Sequence, residues 1–217
     1  MKPTPVFSRR FLYVAWNTHL RLVGPFVLPS RMRRAQLGAL RGAVAQLEGV
    51  PGIGGIRLLE STFVVPLKDG ARVDVVMLVD GSDEAIDVAR RVIDHSGAGE
   101  PSFVAFASNV ERLGDTDALG GPILLNHFTS SRSAEDVARA WSGISDWYGE
   151  VLGVDNSTLL TFEGSSRFVA VNYASIPGPV VRFMADQLLR PSVRSNVLGP
   201  LGSVDARALP VFARRVE

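Results

Sequence analysis

The chain has no cysteine. Its absence excludes disulfides, thiolate metal sites and a cysteine nucleophile. Histidine is scarce: His19, His95 and His127 are spread along 217 residues and form no metal-ligand spacing. There is no HExxH, no Walker loop and no GxSxG. "GVPGIGG" is glycine-rich, but it follows a helical pattern and precedes a strand pattern, the wrong order for phosphate binding at a helix N-terminus. No stretch is long and apolar enough to span a membrane. "FSRRFL" at Phe7 is like a twin-arginine export signal, but Asn17, His19 and Arg21 break the apolar run behind it and no small-residue cleavage site follows. A cytoplasmic protein is therefore expected.

Acidic residues are missing from the whole first stretch. None occurs before Glu48, whereas Lys2, Arg9, Arg10, Arg21, Arg31, Arg33, Arg34 and Arg41 all fall there. Such a stretch is either a solvated basic face or an attraction for an anionic ligand, an acidic partner or nucleic acid. Nucleic acid is disfavoured, because no aromatic platform interleaves the basic residues. The net charge of the chain is only +1.

What is present is one pattern, written twice. The first half predicts a strand around 10–20 and a helix from Ser30 with Leu37, Leu40, Val44 and Leu47 on one stripe. Strands around 56–66 and 72–79 follow, joined by "KDG" at Lys68 as a hairpin turn. A helix then starts at Ser82 with Asp83 and Glu84 in its first turn, where the helix dipole favours acids, and a strand covers 102–108. The second half predicts a strand over 123–129 and a helix from Ser133, whose capping box is completed by Asp136. The stripe of this helix includes Val137, Trp141, Ile144, Trp147, Tyr148 and Val151. Strands follow at 157–162 and 167–173, joined by "EGSS", then a helix capped by Ser175 with Pro177 in its first turn, and a strand over 208–216. Each half thus reads β-α-β-β-α-β, the ferredoxin-like unit. The expected organisation is a first repeat over 1–110 with a basic N-terminal segment, a polar glycine-rich linker over 111–121 and a second repeat over 122–217.

Two such units in one chain resemble the dimeric α+β barrel superfamily, and within it the antibiotic-biosynthesis monooxygenase-like group, as a tandem fused repeat. The motif that carries the likeness is Tyr173-Ala174-Ser175, an aromatic residue at a strand end followed by a serine before the next helix. The equivalent place in the first half reads Asp80-Gly81-Ser82, without the aromatic. The resemblance implies an α+β fold with the two units packed sheet to sheet as an internal pseudo-dimer. It implies a cofactor-independent monooxygenase or cyclase acting on an aromatic, polyketide-like small molecule. A haem-binding or haem-degrading protein of the same fold is the alternative. A third reading is a non-enzymatic ligand-binding or assembly protein that meets an anionic partner through the basic segment. Association into a homodimer is left open.

Asn126 and His127 interrupt an apolar strand, and successive strand residues point to opposite faces. By resemblance Asn126 orients a substrate oxygen or O₂, His127 takes a proton or ligates haem, and Tyr173 donates a hydrogen bond to a ligand oxygen. Asn172 sits beside Tyr173, and Trp147 and Tyr148 would line the cavity and stack on a flat substrate. Asn17 and His19 are expected to share a face of the first strand with Tyr13 and Ala15 and to contact substrate from there. The plain alternative for each is structural. Buried amides tie to backbone, core histidines are satisfied locally, and the Trp147–Tyr148 stripe is core. His95 suits a helix end, and Arg182 and Arg194 either bind a carboxylate or pair on the surface.

Overall fold

The computed structural model describes residues 4–117, 120–164 and 166–216. Lys2 of the basic segment, Ala118 and Leu119 of the expected linker, and Ser165 of "EGSS" lie outside them. Along the chain come β1 (Arg10–Trp16), β2 (Leu22–Val23), β3 (Phe26–Val27), α1 (Arg31–Leu47), β4 (Ile53–Val64), β5 (Val75–Gly81), α2 (Asp83–Asp94) and β6 (Phe103–Leu113). Then follow β7 (Ile123–Ser130), α3 (Ala134–Leu152), β8 (Ser157–Phe162), β9 (Ala170–Ser175), α4 (Val180–Leu188), a π-helical turn (Arg194–Leu198), α5 (Gly199–Ser203) and β10 (Ala206–Arg215). The fold is α+β, with the ferredoxin-like order repeated.

The chain divides into two compact units. The N-terminal unit is Ser8–Ser108 with residues 213–216, and the C-terminal unit is Asn109–Phe212 with residues 4–7. In the N-terminal unit the strands run β6-β1-β5-β4-β3-β2. Phe11–Trp16 of β1 are all buried, so the strand reads as a continuous apolar run. Leu12, Val14 and Trp16 pack with Leu37, Leu40 and Leu47 of α1 and with Ile86, Ala89 and Ile93 of α2. Burying each such leucine or isoleucine stabilises the fold by roughly 1.5–3 kcal/mol. Ser30 and Ser82 cap α1 and α2, accepting hydrogen bonds from the backbone N–H of Arg33 and Ala85.

The charges buried in this unit are paired. Arg33 Nε lies 2.7 Å from Asp74 Oδ1, and its Nη2 donates to the Ser61 carbonyl at 2.6 Å. Asp80 accepts from Arg57 Nη1 at 2.5 Å and from Arg9 Nη1 at 3.3 Å. A register shift in β4 between Ile53 and Gly55 leaves room for this second cluster. A Cβ at Gly54 would collide with the Arg9 guanidinium and the Asp80 carboxylate.

In the C-terminal unit the strands run β10-β7-β9-β8-β6. Phe128, Leu159 and Ala170 pack on Val137, Trp141, Ile144 and Trp147 of α3. The α3 cap forms as the capping box predicts: the Asp136 N–H donates to Ser133 Oγ, and Gly153 ends the helix in the left-handed region at φ 68°.

Four local expectations change. β1 ends at Trp16, whose carbonyl accepts from the Asp74 N–H at 2.7 Å, and the chain then turns, with the Leu20 N–H reaching back to the Asn17 carbonyl. β4 and β5 are separated by residues 65–74, a loop longer than a tight "KDG" hairpin. Residues 111–113, expected in the linker, continue β6 as strand, where Asn109 Nδ2 donates to the Leu159 carbonyl at 2.9 Å. Ser175 closes β9 instead of capping α4, which starts after Pro179 without a side-chain cap.

Candidate functional site

Register decides which polar side chains meet. β7 pairs with β9 so that Asn126 faces Asn172, and β8 pairs with β9 so that Leu159 faces Asn172. Residues directly opposite one another share a sheet face. Leu159, with Phe128 two residues on from Asn126 and Ala170 two residues before Asn172, packs against α3. Asn126 and Asn172 therefore lie on the face of this sheet that the helices cover. Asn172 is satisfied: its Oδ1 accepts from Ser157 Oγ. Asn126 is not, because its buried Oδ1 has no hydrogen-bond partner among the described residues. A buried acceptor left in that state costs about 1–3 kcal/mol.

His127 points the other way. It is fully buried, and its ring lies 4.9 Å from that of Phe168. Burial lowers its pKa from 6.5 to about 4, opposed by hydrogen bonds to the backbone of Leu209 and Leu125. The imidazole is neutral at physiological pH and sits on the opposite face from Asn126, so the expected pairing of the two in one site does not form. The same enclosure between Phe168 and the Leu209 backbone does not fit an axial haem ligand. Among the described residues no group of three or more His, Asp or Glu could hold a metal ion. No helix among them is long and apolar enough to cross a membrane.

Tyr173 also belongs to the opposite face. It is 2% exposed, and its hydroxyl donates to Asp117 Oδ1 at 2.9 Å. Beside it Asn156 ties down the end of β9: the Ser175 N–H donates to Asn156 Oδ1 at 2.8 Å, and Asn156 Nδ2 donates to the Ser175 carbonyl at 3.0 Å. The tyrosine thus clasps the segment after β6, and it does not meet Asn126. Asp117 and Asn156 carry no mark of this role in the sequence, because their partners are distant along the chain.

The aromatic residues form a cluster of their own. Trp147 donates from Nε1 to Ser192 Oγ at 3.2 Å and meets the Tyr148 ring edge-on at 5.3 Å. Tyr148 stacks on Phe183 of α4 at 6.2 Å, and Phe183 meets Phe212 edge-on. Burial pushes the Tyr148 hydroxyl pKa well above its ordinary value, so the phenol stays protonated. Phe183, with Val151, Leu152, Pro179, Arg182 and Arg190, also lines a cavity of about 380 Å³ between the end of α3 and α4. Phe183 is visible in the sequence only as one more apolar residue of a helix stripe.

Asn17 and His19 stand apart in the N-terminal unit. Asn17 is exposed just beyond β1, and His19 sits in the turn that follows. His19 lines a cavity of about 600 Å³ with Arg21, Arg31, Met32 and Arg34. The expected shared strand face with Tyr13 does not form, because the strand has already ended.

No protein-family model matches the sequence, and no curated protein matches it. Solved structures do. An anthrone oxidase-like protein aligns with a TM-score of 0.64 at 12% identity, covering 98% of this chain and 95% of that one. A protein from Fusobacterium nucleatum assigned as a monooxygenase aligns with a TM-score of 0.59 at 9% identity, covering 97% and 94%. A chlorite dismutase variant from Candidatus Nitrospira defluvii aligns with a TM-score of 0.52 at 10% identity, covering 97% and 92%. At such identities the likeness speaks for the fold, and the chemistries differ from one neighbour to the next. The likeness shows the fold alone: α+β, with the ferredoxin-like order repeated in one chain.

Proposed function

We propose that the chain is a small-molecule oxidase or monooxygenase whose substrate site lies in the C-terminal unit, on the helix-covered face of the sheet. One observation carries the proposal: the buried Asn126 Oδ1 has no hydrogen-bond partner among the described residues, while its neighbour Asn172 is satisfied by Ser157. A carbonyl oxygen accepts. The group it awaits is a hydrogen-bond donor, for which the O–H of a phenol or an enol is suited. Phe128, Leu159 and Trp141, which pack together on that face, give Asn126 apolar surroundings.

The anthrone oxidase-like neighbour supplies a substrate class with this chemistry. The enol tautomer of anthrone presents an O–H to Asn126, and its electron-rich carbon can react with O₂ directly. Overall, anthrone and O₂ give anthraquinone and water, a balanced oxidation in which O₂ is the only co-reactant. The protein would hold the enol, orient it and exclude water. The base is not His127, which faces away and is sealed.

The test is oxygen uptake with anthrone by the parent and by Asn126→Leu. The parent should exceed the buffer rate, and Asn126→Leu should lose at least about tenfold, the scale of one hydrogen bond in a dry site. A parent no faster than buffer overturns the substrate class. An undiminished Asn126→Leu overturns the site.

A further inference from the structure

The N-terminal unit holds a second concave site that the proposed oxidation does not use. The cavity of about 600 Å³ lined by His19, Arg21, Arg31, Met32 and Arg34 lies where β1 has ended and α1 begins. Its volume falls within the roughly 300–1,000 Å³ of small-molecule sites. A second cavity of about 320 Å³ shares Pro29, Ser30 and Arg34 with it and adds Arg33, Arg41 and Arg214.

The acids of this region are already engaged. Asp74 pairs with Arg33 at 2.7 Å, and Glu60 lies 2.5 Å from Arg214 and 3.5 Å from Arg33. The first turn of α1 has no acidic residue. Arg21, Arg31 and Arg34 have no ion pair among the described residues, although all three line the larger cavity. All three are exposed, and like charges gathered around one concavity attract an anion.

The backbones that carry these side chains are fixed. Arg33, 5% exposed, fastens the start of α1 to the carbonyls of Ser61 and Asp74. The Leu28 N–H donates to the Arg21 carbonyl at 2.8 Å, which closes the β2–β3 hairpin around Arg21. The guanidiniums are thus carried by two anchored segments that both line the cavity. Guanidinium is a planar fork that bonds phosphate oxygens in pairs. Met32, 62% exposed, and Leu20 add an apolar portion to the wall.

We propose that this cavity binds a soluble phosphate ester carrying two or more phosphates, with the phosphates on Arg21, Arg31 and Arg34 and the body of the ligand against Met32. The phosphate chemistry would also suit a lipid headgroup, and the experiment separates the two sources.

Calorimetric titrations of the full chain with inorganic tripolyphosphate and with ATP test the site, alongside sedimentation with phosphatidylserine-containing vesicles. The parent should bind both soluble compounds, more weakly as salt is raised. The double substitution Arg31→Gln, Arg34→Gln should weaken binding by at least about tenfold, as lost charge-assisted bonds require. Arg139→Gln, an exposed arginine of the C-terminal unit paired with Asp136, should bind like the parent. If the double variant unfolds, Arg21→Gln, on the other segment that lines the cavity, serves and should show a loss of the same kind. Three results overturn the proposal: no binding by the parent, an equal loss in Arg139→Gln, or binding to vesicles with none to free tripolyphosphate.

Discussion

The two units bury polar groups in different ways. The N-terminal unit buries ions, and each carboxylate meets a guanidinium: Asp74 with Arg33, and Asp80 with Arg57 and Arg9. The C-terminal unit buries neutral groups, namely His127, Asn156, Asn172 and Tyr173, on hydrogen bonds to backbone and side chains, and leaves the Oδ1 of the half-buried Asn126 unmet. A buried charge must be matched completely, because an uncompensated ion costs several kcal/mol. A buried amide can be left one bond short for about 1–3 kcal/mol, a cost that a bound ligand can relieve. Both units keep a buried amide oxygen one bond short, Gln36 Oε1 in the N-terminal unit and Asn126 Oδ1 in the C-terminal unit.

The comparison breaks most visibly at Arg57. Arg57→Met leaves Asp80 buried beside the half-exposed Arg9 alone. It should destabilise the protein by about 3–5 kcal/mol in urea unfolding. Arg139→Met, at an exposed pair, should cost under about 1 kcal/mol. A loss at Arg57 no larger than at Arg139 would remove the distinction.

His127 should make the protein acid-sensitive. Its pKa is lowered from 6.5 to about 4 on folding, so the unfolded chain takes up the proton first. The stability it contributes is full above pH 6.5 and falls as the pH drops towards 4, by about 3 kcal/mol in all. Unfolding measured across this window should lose that slope in His127→Gln. An unchanged slope would assign the acid sensitivity to other groups.

The smallest effect separates the two asparagines. Asn172→Leu strands the Ser157 hydroxyl and should cost about 1–3 kcal/mol. Asn126→Leu removes an acceptor that already lacks a partner and should leave stability within about 1 kcal/mol of the parent, or above it. Chemical denaturation of the two variants side by side checks this. Equal losses would mean that Asn126 has a structural partner.

Much of the fold is legible in local signals. Ser30, Ser82 and Ser133 announce their helices, and all three caps form as those positions require. Strand alternation puts Asn126 and His127 on opposite faces, and the register agrees. Which face the helices cover is not legible, because Leu125 and Phe128, on opposite faces, are equally apolar and both buried. The end of β1 is hidden for a related reason. Asn17 and His19 continue the alternation of a strand, but a backbone bond between Leu20 and Asn17 makes a turn. Residues 111–113 read as linker because the residues after them are polar and glycine-rich, and their strand partner lies far along the chain. Long-range pairing also hides the ion clusters. Nothing near Arg33 in sequence marks Asp74 as its partner.

The division of the chain into units has a consequence for synthesis. Residues 213–216 belong with the N-terminal unit, where the Val216 N–H donates to the Leu58 carbonyl at 2.9 Å and Arg214 meets Glu60. A ribosome that has released residues 8–108 has therefore not yet supplied everything this unit needs. Until residue 216 emerges, Leu58 and Glu60 wait without those partners, while residues 109–212 of the other unit are being made. The unit that contains residues 8–108 is completed after residues 109–212 have been made, and a fragment cut at residue 108 would carry an open edge along β4.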